Sequence, residues 1–158
     1  MRVTTRPITD EDREVLAEIY ASTRREELAP VPWSGAEKEA FLRSQFAAQH
    51  LHYQRHYAEA EFSLLLVDAR PIGRLYVDRR DDEIRLVDIA LLPEYRGSGI
   101  GTFLLTSLLS ESKAAGLPLR IHVEHNNPAM RLYLRLGFRK LEENGVYHLM
   151  EWRAEDAG

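Results

Sequence analysis

The run Arg96-Gly97-Ser98-Gly99-Ile100-Gly101 is the part of this sequence best equipped for chemistry. It lies between an apolar run with strand character, Ile84 to Leu91, and an amphipathic run with helix character, Thr102 to Lys113. Glycines let the backbone reach positive φ and come close to a ligand. The N–H groups of a helix's first turn have no acceptor within the helix, and the helix dipole adds partial positive charge at the same end. Strand, glycine loop and helix start together make an anion site, with phosphate or pyrophosphate as the natural guest. Arg96 adds a full charge and a bidentate fork. Two familiar phosphate loops do not fit. A nucleotide P-loop ends in Gly-Lys-Ser/Thr, and no lysine lies between Gly97 and Thr102. A dinucleotide loop needs G-x-G-x-x-G, yet its third glycine would be Thr102 counting from Gly97 and Leu104 counting from Gly99.

Other residues with chemical potential are less specific. Asp88 interrupts the apolar strand Leu86-Val87-Asp88-Ile89-Ala90-Leu91 and shares a face with Leu86 and Ala90. A carboxylate there is costly unless it is paired or functional, so it reads equally as a buried acceptor of backbone or arginine hydrogen bonds and as a base. Glu83, near the turn that starts the strand, reads as solvated, while His122 and Glu124 share one face of the next strand and are further candidates. A histidine-rich segment carries Gln45, Gln49, His50, His52, Tyr53, His56 and Tyr57. His52 and His56 share a helix face, but no acid joins them in a metalloprotease pattern, so no metal is expected.

The elements that position these groups follow from periodicity and punctuation. Val3 to Arg6 is a short strand, and Thr9 caps a helix bearing Val15, Leu16, Ile19 and Tyr20. Pro30-Val31-Pro32-Trp33 breaks the chain, after which Ser34, with Glu37 at the capping-box position, opens a long second helix. Glu61 to Asp68 and Ile72 to Arg79 form a hairpin around Asp68-Ala69-Arg70-Pro71. Asp81-Asp82 marks a turn, Ile84 to Leu91 is the central strand, and Gly116-Leu117-Pro118 ends the helix after the glycine loop. Leu119 to Glu124 is a strand, Pro128 to Leu136 a short helix, and Phe138 to Glu142 with Val146 to Trp152 a hairpin turned at Asn144-Gly145. Ala154 to Gly158 reads as a frayed tail.

Composition narrows the class. A chain of 158 residues, 44% hydrophobic and 29% charged, reads as one ordinary globular domain. A net charge of −4 and no basic run interleaved with aromatics argue against a nucleic-acid surface. With no cysteine there is no disulfide, thiolate metal site or cysteine nucleophile, which fits a reducing cytoplasm. No signal pattern and no apolar run of membrane-spanning length is seen, so no membrane partner is expected.

The arrangement Arg96-x-x-Gly99-x-Gly101, after a strand ending in Leu91-Leu92-Pro93, resembles the acetyl-CoA loop of the GNAT superfamily of N-acetyltransferases. Asn126-Asn127-Pro128-Ala129-Met130-Arg131-Leu132-Tyr133, continuing to Gly137-Phe138, resembles the second motif of that superfamily. The resemblance covers roughly Glu83 to Trp152. It implies the α/β GNAT acyl-CoA N-acyltransferase fold, a central mixed twisted β-sheet with helices on both faces. It further implies direct, acetyl-CoA-dependent transfer to a primary amine of a small molecule or peptide, with no covalent enzyme intermediate. The alternative is a non-catalytic acyl-CoA-binding or regulatory module on the same fold.

Residue by residue, the resemblance assigns the pyrophosphate to Arg96, Gly97, Ser98, Gly99, Ile100, Gly101 and Thr102. The pantetheine amides fall to the strand edge Ile89, Ala90 and Leu91. Asn126 or Asn127 contacts the cofactor, with Asn127 also placed to cap the following helix, and Ala129 belongs to the same motif. Tyr133 is the position of a general acid at the coenzyme A sulfur, and also a packing position. Asp88 is the candidate general base. Residues 83–152 would form the acetyl-CoA-binding core. Residues 1–80 would shape the acceptor site, with Trp33, Gln49 and Tyr53 on its wall. Homodimers are common in this superfamily.

Overall fold

The computed structural model describes residues 2–157. Strand β1 (Val3–Pro7) leads through a 3-10 turn at Asp10–Asp12 into helix α1 (Arg13–Ser22). Helix α2 (Arg25–Leu28) and helix α3 (Gly35–His56) follow. Then come β2 (Glu61–Val67), β3 (Arg70–Arg79) and β4 (Ile84–Leu91). Helix α4 (Ile100–Ala115), β5 (Leu119–Glu124), α5 (Met130–Leu136), β6 (Arg139–Asn144), β7 (Tyr147–Trp152) and α6 (Ala154–Ala157) complete the order. The strands form one mixed sheet in the order β1-β2-β3-β4-β5-β7-β6. Strands β4 and β5 are parallel, as a crossover through α4 requires, while β7 runs antiparallel to both β5 and β6. The β4–β5 register covers only Ile84, Arg85 and Leu86, leaving Val87–Leu91 outside it.

Several boundaries differ from the sequence expectation. Helix α2 was not foreseen, because four residues are too few for a periodic signal. The β2–β3 turn is tighter than four residues: Asp68 and Ala69 take φ of 50° and 64°, and β3 starts at Arg70. Helix α4 starts at Ile100 rather than Thr102, because Gly99 in the left-handed region closes the loop early. The expected frayed tail is helical over Ala154–Ala157, and Gly158 lies outside the described residues. Among the described residues no helix is long and apolar enough to cross a membrane.

Contacts group the chain into two compact units. The first holds the chain up to Tyr76 together with Asp88–Ser98. Its core is built from Leu16, Ile19 and Tyr20 of α1, Leu42 and Phe46 of α3, and Leu64 of β2. The capping box that starts α3 is present: Glu37 N–H donates to Ser34 Oγ at 3.1 Å, and Ser34 N–H donates to Glu37 Oε1 at 3.0 Å. At the start of α1, the buried Asp12 carboxylate accepts from both guanidinium nitrogens of Arg6 at 2.8 Å and from Thr9 N–H at 2.8 Å. The Arg6 hydrogen bonds, against the opposing effect of burial, bring Asp12 down from its ordinary 3.8 to about 2. A lowered carboxylate pKa stabilises the fold above the unfolded-state value and loses that effect as pH falls through the folded value. Stability is therefore expected to fall by up to about 2 kcal/mol between pH 4 and pH 2 through this group. Asp12→Asn should flatten that part of a melting-temperature profile; an unchanged profile would rule the contribution out.

The second unit holds Val77–Val87 and the chain from Gly99 onward. Leu104, Leu105, Leu108 and Leu109 form the buried stripe of α4. Gly116, at φ 70°, ends that helix as its spacing predicts. Glu83 corrects the expectation of a solvated side chain, for it is 5% exposed. Its carboxylate accepts from Arg85 at 2.8 Å and Arg120 at 3.3 Å, with Arg80 at 3.9 Å. Glu151, also buried, pairs with Arg120 and Arg153, each at 2.8 Å. The arginines sit on neighbouring strands in register, Arg85 opposite Arg120 and Arg120 opposite Glu151, so the sheet itself supplies the counter-charges.

Candidate functional site

In the first unit, α3, β3 and β4 bring together a buried polar cluster. Asp88 sits in β4 with a half-buried side chain. Arg74 Nε donates to Asp88 Oδ1 at 3.2 Å, and its terminal nitrogen donates to Oδ2 at 2.9 Å. The same nitrogen donates to Gln49 Oε1 at 2.8 Å, and the Tyr53 hydroxyl donates to Asp88 Oδ2 at 2.9 Å. The sequence had left Asp88 open between a base and a buried carboxylate held by arginine, and the structure shows that pairing. Arg74 is 2% exposed. Burial is the largest influence and opposes its charge, but Asp88, together with the Tyr76 and Tyr53 phenols, outweighs it, and its pKa is raised. Burial also pushes the Tyr53 phenol up, with the Asp88 charge adding to the effect. Gln49 and Tyr53, one turn apart on α3, thus both join the Arg74–Asp88 pair, Gln49 through Arg74 and Tyr53 through Asp88. Trp33 is 42% exposed and packs edge-on against Phe41 with ring centroids 5.3 Å apart.

Arg74 is the member of this cluster that sequence reading missed. Its signal was a lone arginine inside the apolar run Ile72–Val77, which calls for a buried opposite charge on a neighbouring strand. The histidines of α3 are separate features. His50 stacks on Phe46 at 5.3 Å, and burial lowers its pKa. His52 and His56 stack on each other at 4.3 Å on the exposed face. Among the described residues no group of three or more potential metal ligands is assembled.

The glycine loop has the geometry of an anion cradle. Gly97 and Gly99 take φ of 73° and 88°, and, apart from the adjoining chain, no atom lies within 4 Å of where a side chain would start at Gly97, Gly99 or Gly101. The first bond of α4 runs from Phe103 N–H to Gly99 C=O at 2.9 Å, so the N–H groups of Gly99 to Thr102 have no acceptor in the helix. No acid occupies its first turn. Ser98 Oγ donates to Tyr95 C=O at 2.6 Å. Arg96 is placed differently from the sequence expectation of a charge at the mouth. Its guanidinium donates to Leu91 C=O at 3.0 Å and to Ser22 C=O at 3.1 Å, tying the loop to the ends of β4 and α1. Ile89, Ala90 and Leu91 are half-buried and lie in the part of β4 beyond the β5 register.

In the second unit, Asn126 and Asn127 are both exposed, and the Asn127 side chain accepts from Ala129 N–H at 2.8 Å and so caps the turn into α5. Tyr133 is 3% exposed and packs at a steep angle on Phe138, ring centroids 5.5 Å apart. On β5, His122 Nδ1 lies 3.1 Å from an Arg85 terminal nitrogen, which can only donate, so Nδ1 is the accepting nitrogen. Burial, then the Arg85 charge, lowers the His122 pKa.

Comparison with known proteins bears on what these parts serve. The family model described as Acetyltransferase (GNAT) family matches residues 17–138. A stretch of 68 residues is 37% identical to the [ribosomal protein bS18]-alanine N-acetyltransferase of Haemophilus influenzae, covering 42% of this chain and 47% of that protein. Another of 84 residues is 33% identical to the mycothiol acetyltransferase of Thermobifida fusca, covering 52% and 23%. The chain thus spans less than half the length of these two relatives. The PaiA N-acetyltransferase of Thermoplasma acidophilum, solved in complex with coenzyme A, shares the fold. Its TM-score is 0.72 over 97% of this chain and 99% of that one, at 23% identity.

Proposed function

We propose that this chain, which belongs to the GNAT family of acetyltransferases, transfers the acetyl group of acetyl-CoA to a primary amine of a small molecule or peptide. The observation that carries this reading is the start of α4, where two left-handed glycines, open space and unpaired N–H groups coincide with a helix N-terminus free of acids. Such a cradle fits a pyrophosphate by charge, by shape and by donor count. Acetyl-CoA supplies an acyl thioester whose carbonyl is open to attack and whose thiolate leaves readily.

The backbone N–H groups from Gly97 to Thr102, Ser98 and Ile100 included, hold the pyrophosphate. Arg96 serves by fixing the loop to Leu91 and Ser22. Ile89, Ala90 and Leu91 offer backbone groups to the pantetheine amides as an added strand would. With the Asn127 side chain engaged by Ala129, Asn126 is the asparagine assigned to the cofactor. Tyr133 gives its proton, or a hydrogen bond, to the sulfur; thiolate is a weaker base than phenolate, so the transfer is mild. Gln49 and Tyr53 line the acceptor side with Trp33. Asp88 takes the amine's proton through water: Arg74 and Tyr53 account for three hydrogen bonds, and a carboxylate accepts about four.

Calorimetry with acetyl-CoA tests the reading. Wild type is expected to bind, and Gly99→Glu to lose about 100-fold or more in affinity, because it places a charge at the anion site and a side chain at φ 88°. Absence of binding to folded wild type would sink the proposal. Binding without free-thiol release across a panel of primary amines would instead favour the non-catalytic module.

A further inference from the structure

A cavity of about 750 Å³, open to solvent, lies between α1 and α3 and takes one further wall residue, Arg25, from α2. It exists because the facing residues are small: Ala17 and Ala21 on α1 and Ala47 on α3 stand where larger side chains would interlock. Leu42 and Phe46, both buried, complete an apolar floor. A cavity of this size, apolar below and charged at a few points of its rim, has the makeup of a small-molecule site.

The rim charges are divided unevenly. Arg25 is engaged, donating to Glu18 at 2.9 Å and to Glu39 at 3.1 Å. Glu39 stands one turn before Arg43 on α3, a spacing at which glutamate and arginine commonly pair, but its carboxylate is turned to Arg25. Among the described residues Arg43 has no carboxylate partner, and neither has Arg13, whose guanidinium lies over the Phe46 ring, 5.6 Å from its centroid. Glu14, beside Arg13 in sequence, also lines the cavity and pairs with neither, so two guanidiniums face one carboxylate.

We propose that this cavity binds a small aromatic carboxylate. The carboxylate lies between Arg13 and Arg43, whose planar forks of N–H groups match its two oxygens. The ring rests on Ala17, Ala21 and Leu42 and meets the Phe46 ring, which Arg13 already covers. A cation would be repelled by the same guanidiniums, and an uncharged ring would forgo the charged hydrogen bonds. Phe46 also stacks on His50 at 5.3 Å, so that imidazole reports on what fills the cavity.

Calorimetry and NMR with naphthoate, set against its uncharged isostere naphthamide, test this. Wild type is expected to bind naphthoate with a Kd on the order of 100 µM, and naphthamide about tenfold or more weakly. Arg13→Gln/Arg43→Gln should lower naphthoate to the level of naphthamide and leave naphthamide unchanged. Ala17 is half-buried and faces the cavity, so Ala17→Phe fills the floor without entering the core and should abolish binding of both. The His50 ring resonances should shift with naphthoate in wild type and stay in place in Ala17→Phe. No binding of millimolar naphthoate to folded wild type, equal affinity for acid and amide, a double variant that keeps the preference, or an Ala17→Phe protein that still binds would each overturn the proposal.

Discussion

Arg74→Met is expected to destabilise the protein by about 3 to 5 kcal/mol, the usual effect of breaking one side of a buried ion pair. Arg74 and Asp88 have side chains only 3% and 15% exposed, so water cannot replace the lost guanidinium. The substitution removes two donors from Asp88 and the donor to Gln49, leaving Tyr53 as the side chain still donating to the carboxylate. Urea unfolding would show it as a fall in midpoint with little change in slope. The double variant Arg74→Met/Asp88→Leu should recover part of the loss, because it removes the stranded charge as well. If the single variant unfolds within about 1 kcal/mol of wild type, the pair is not what holds α3 to β3 and β4.

Gly73→Ala is expected to be the second most damaging change, costing about 3 kcal/mol, and to weaken acetyl-CoA binding with it. A methyl group at Gly73 would lie 2.3 Å from the carbonyl oxygen of Ala90 and 3.2 Å from Leu91 Cα. These are backbone atoms and cannot swing aside, so β4 itself must shift. The displaced residues belong to the edge assigned to pantetheine, which is why one methyl group should register in both stability and affinity. Gly35→Ala provides the contrast: nothing lies within 4 Å there and the residue is helical, so it should be neutral or slightly stabilising. Calorimetry and thermal melts on the two variants decide the matter; a Gly73→Ala protein with wild-type affinity would remove Ala90 and Leu91 from the cofactor site.

What the sequence made legible was whatever rests on local chemistry. The loop from Gly97 to Gly101, the Ser34 and Glu37 capping box, and the Gly116 helix stop each depend on residues a few positions apart. Asp88 was legible as an anomaly, since a carboxylate in an apolar strand must have a reason. Its partner was not, because Arg74 meets it only when two strands pair, and one chain read alone gives no register. Glu83 was misread for the same cause: closeness to a turn suggested water, while the arginines that cover it come from β4 and β5. Arg96 shows the converse. Its charge suggested a ligand, but the backbone carbonyls it serves, on Leu91 and Ser22, are five and 74 residues away.

The ion pairs around Glu83, Glu151 and Asp88 are all made with arginine. Of the chain's 21 basic residues, only Lys38, Lys113 and Lys140 are lysines. A lysine in such a pair becomes an acyl-accepting nucleophile whenever it sheds its proton, and acylation would delete the charge for good. Guanidinium keeps its proton across the whole working range of pH and is a poor nucleophile. On the acetyl-CoA-dependent reading proposed above, an interior built from guanidinium groups is one whose cations are inert to the enzyme's own activated thioester.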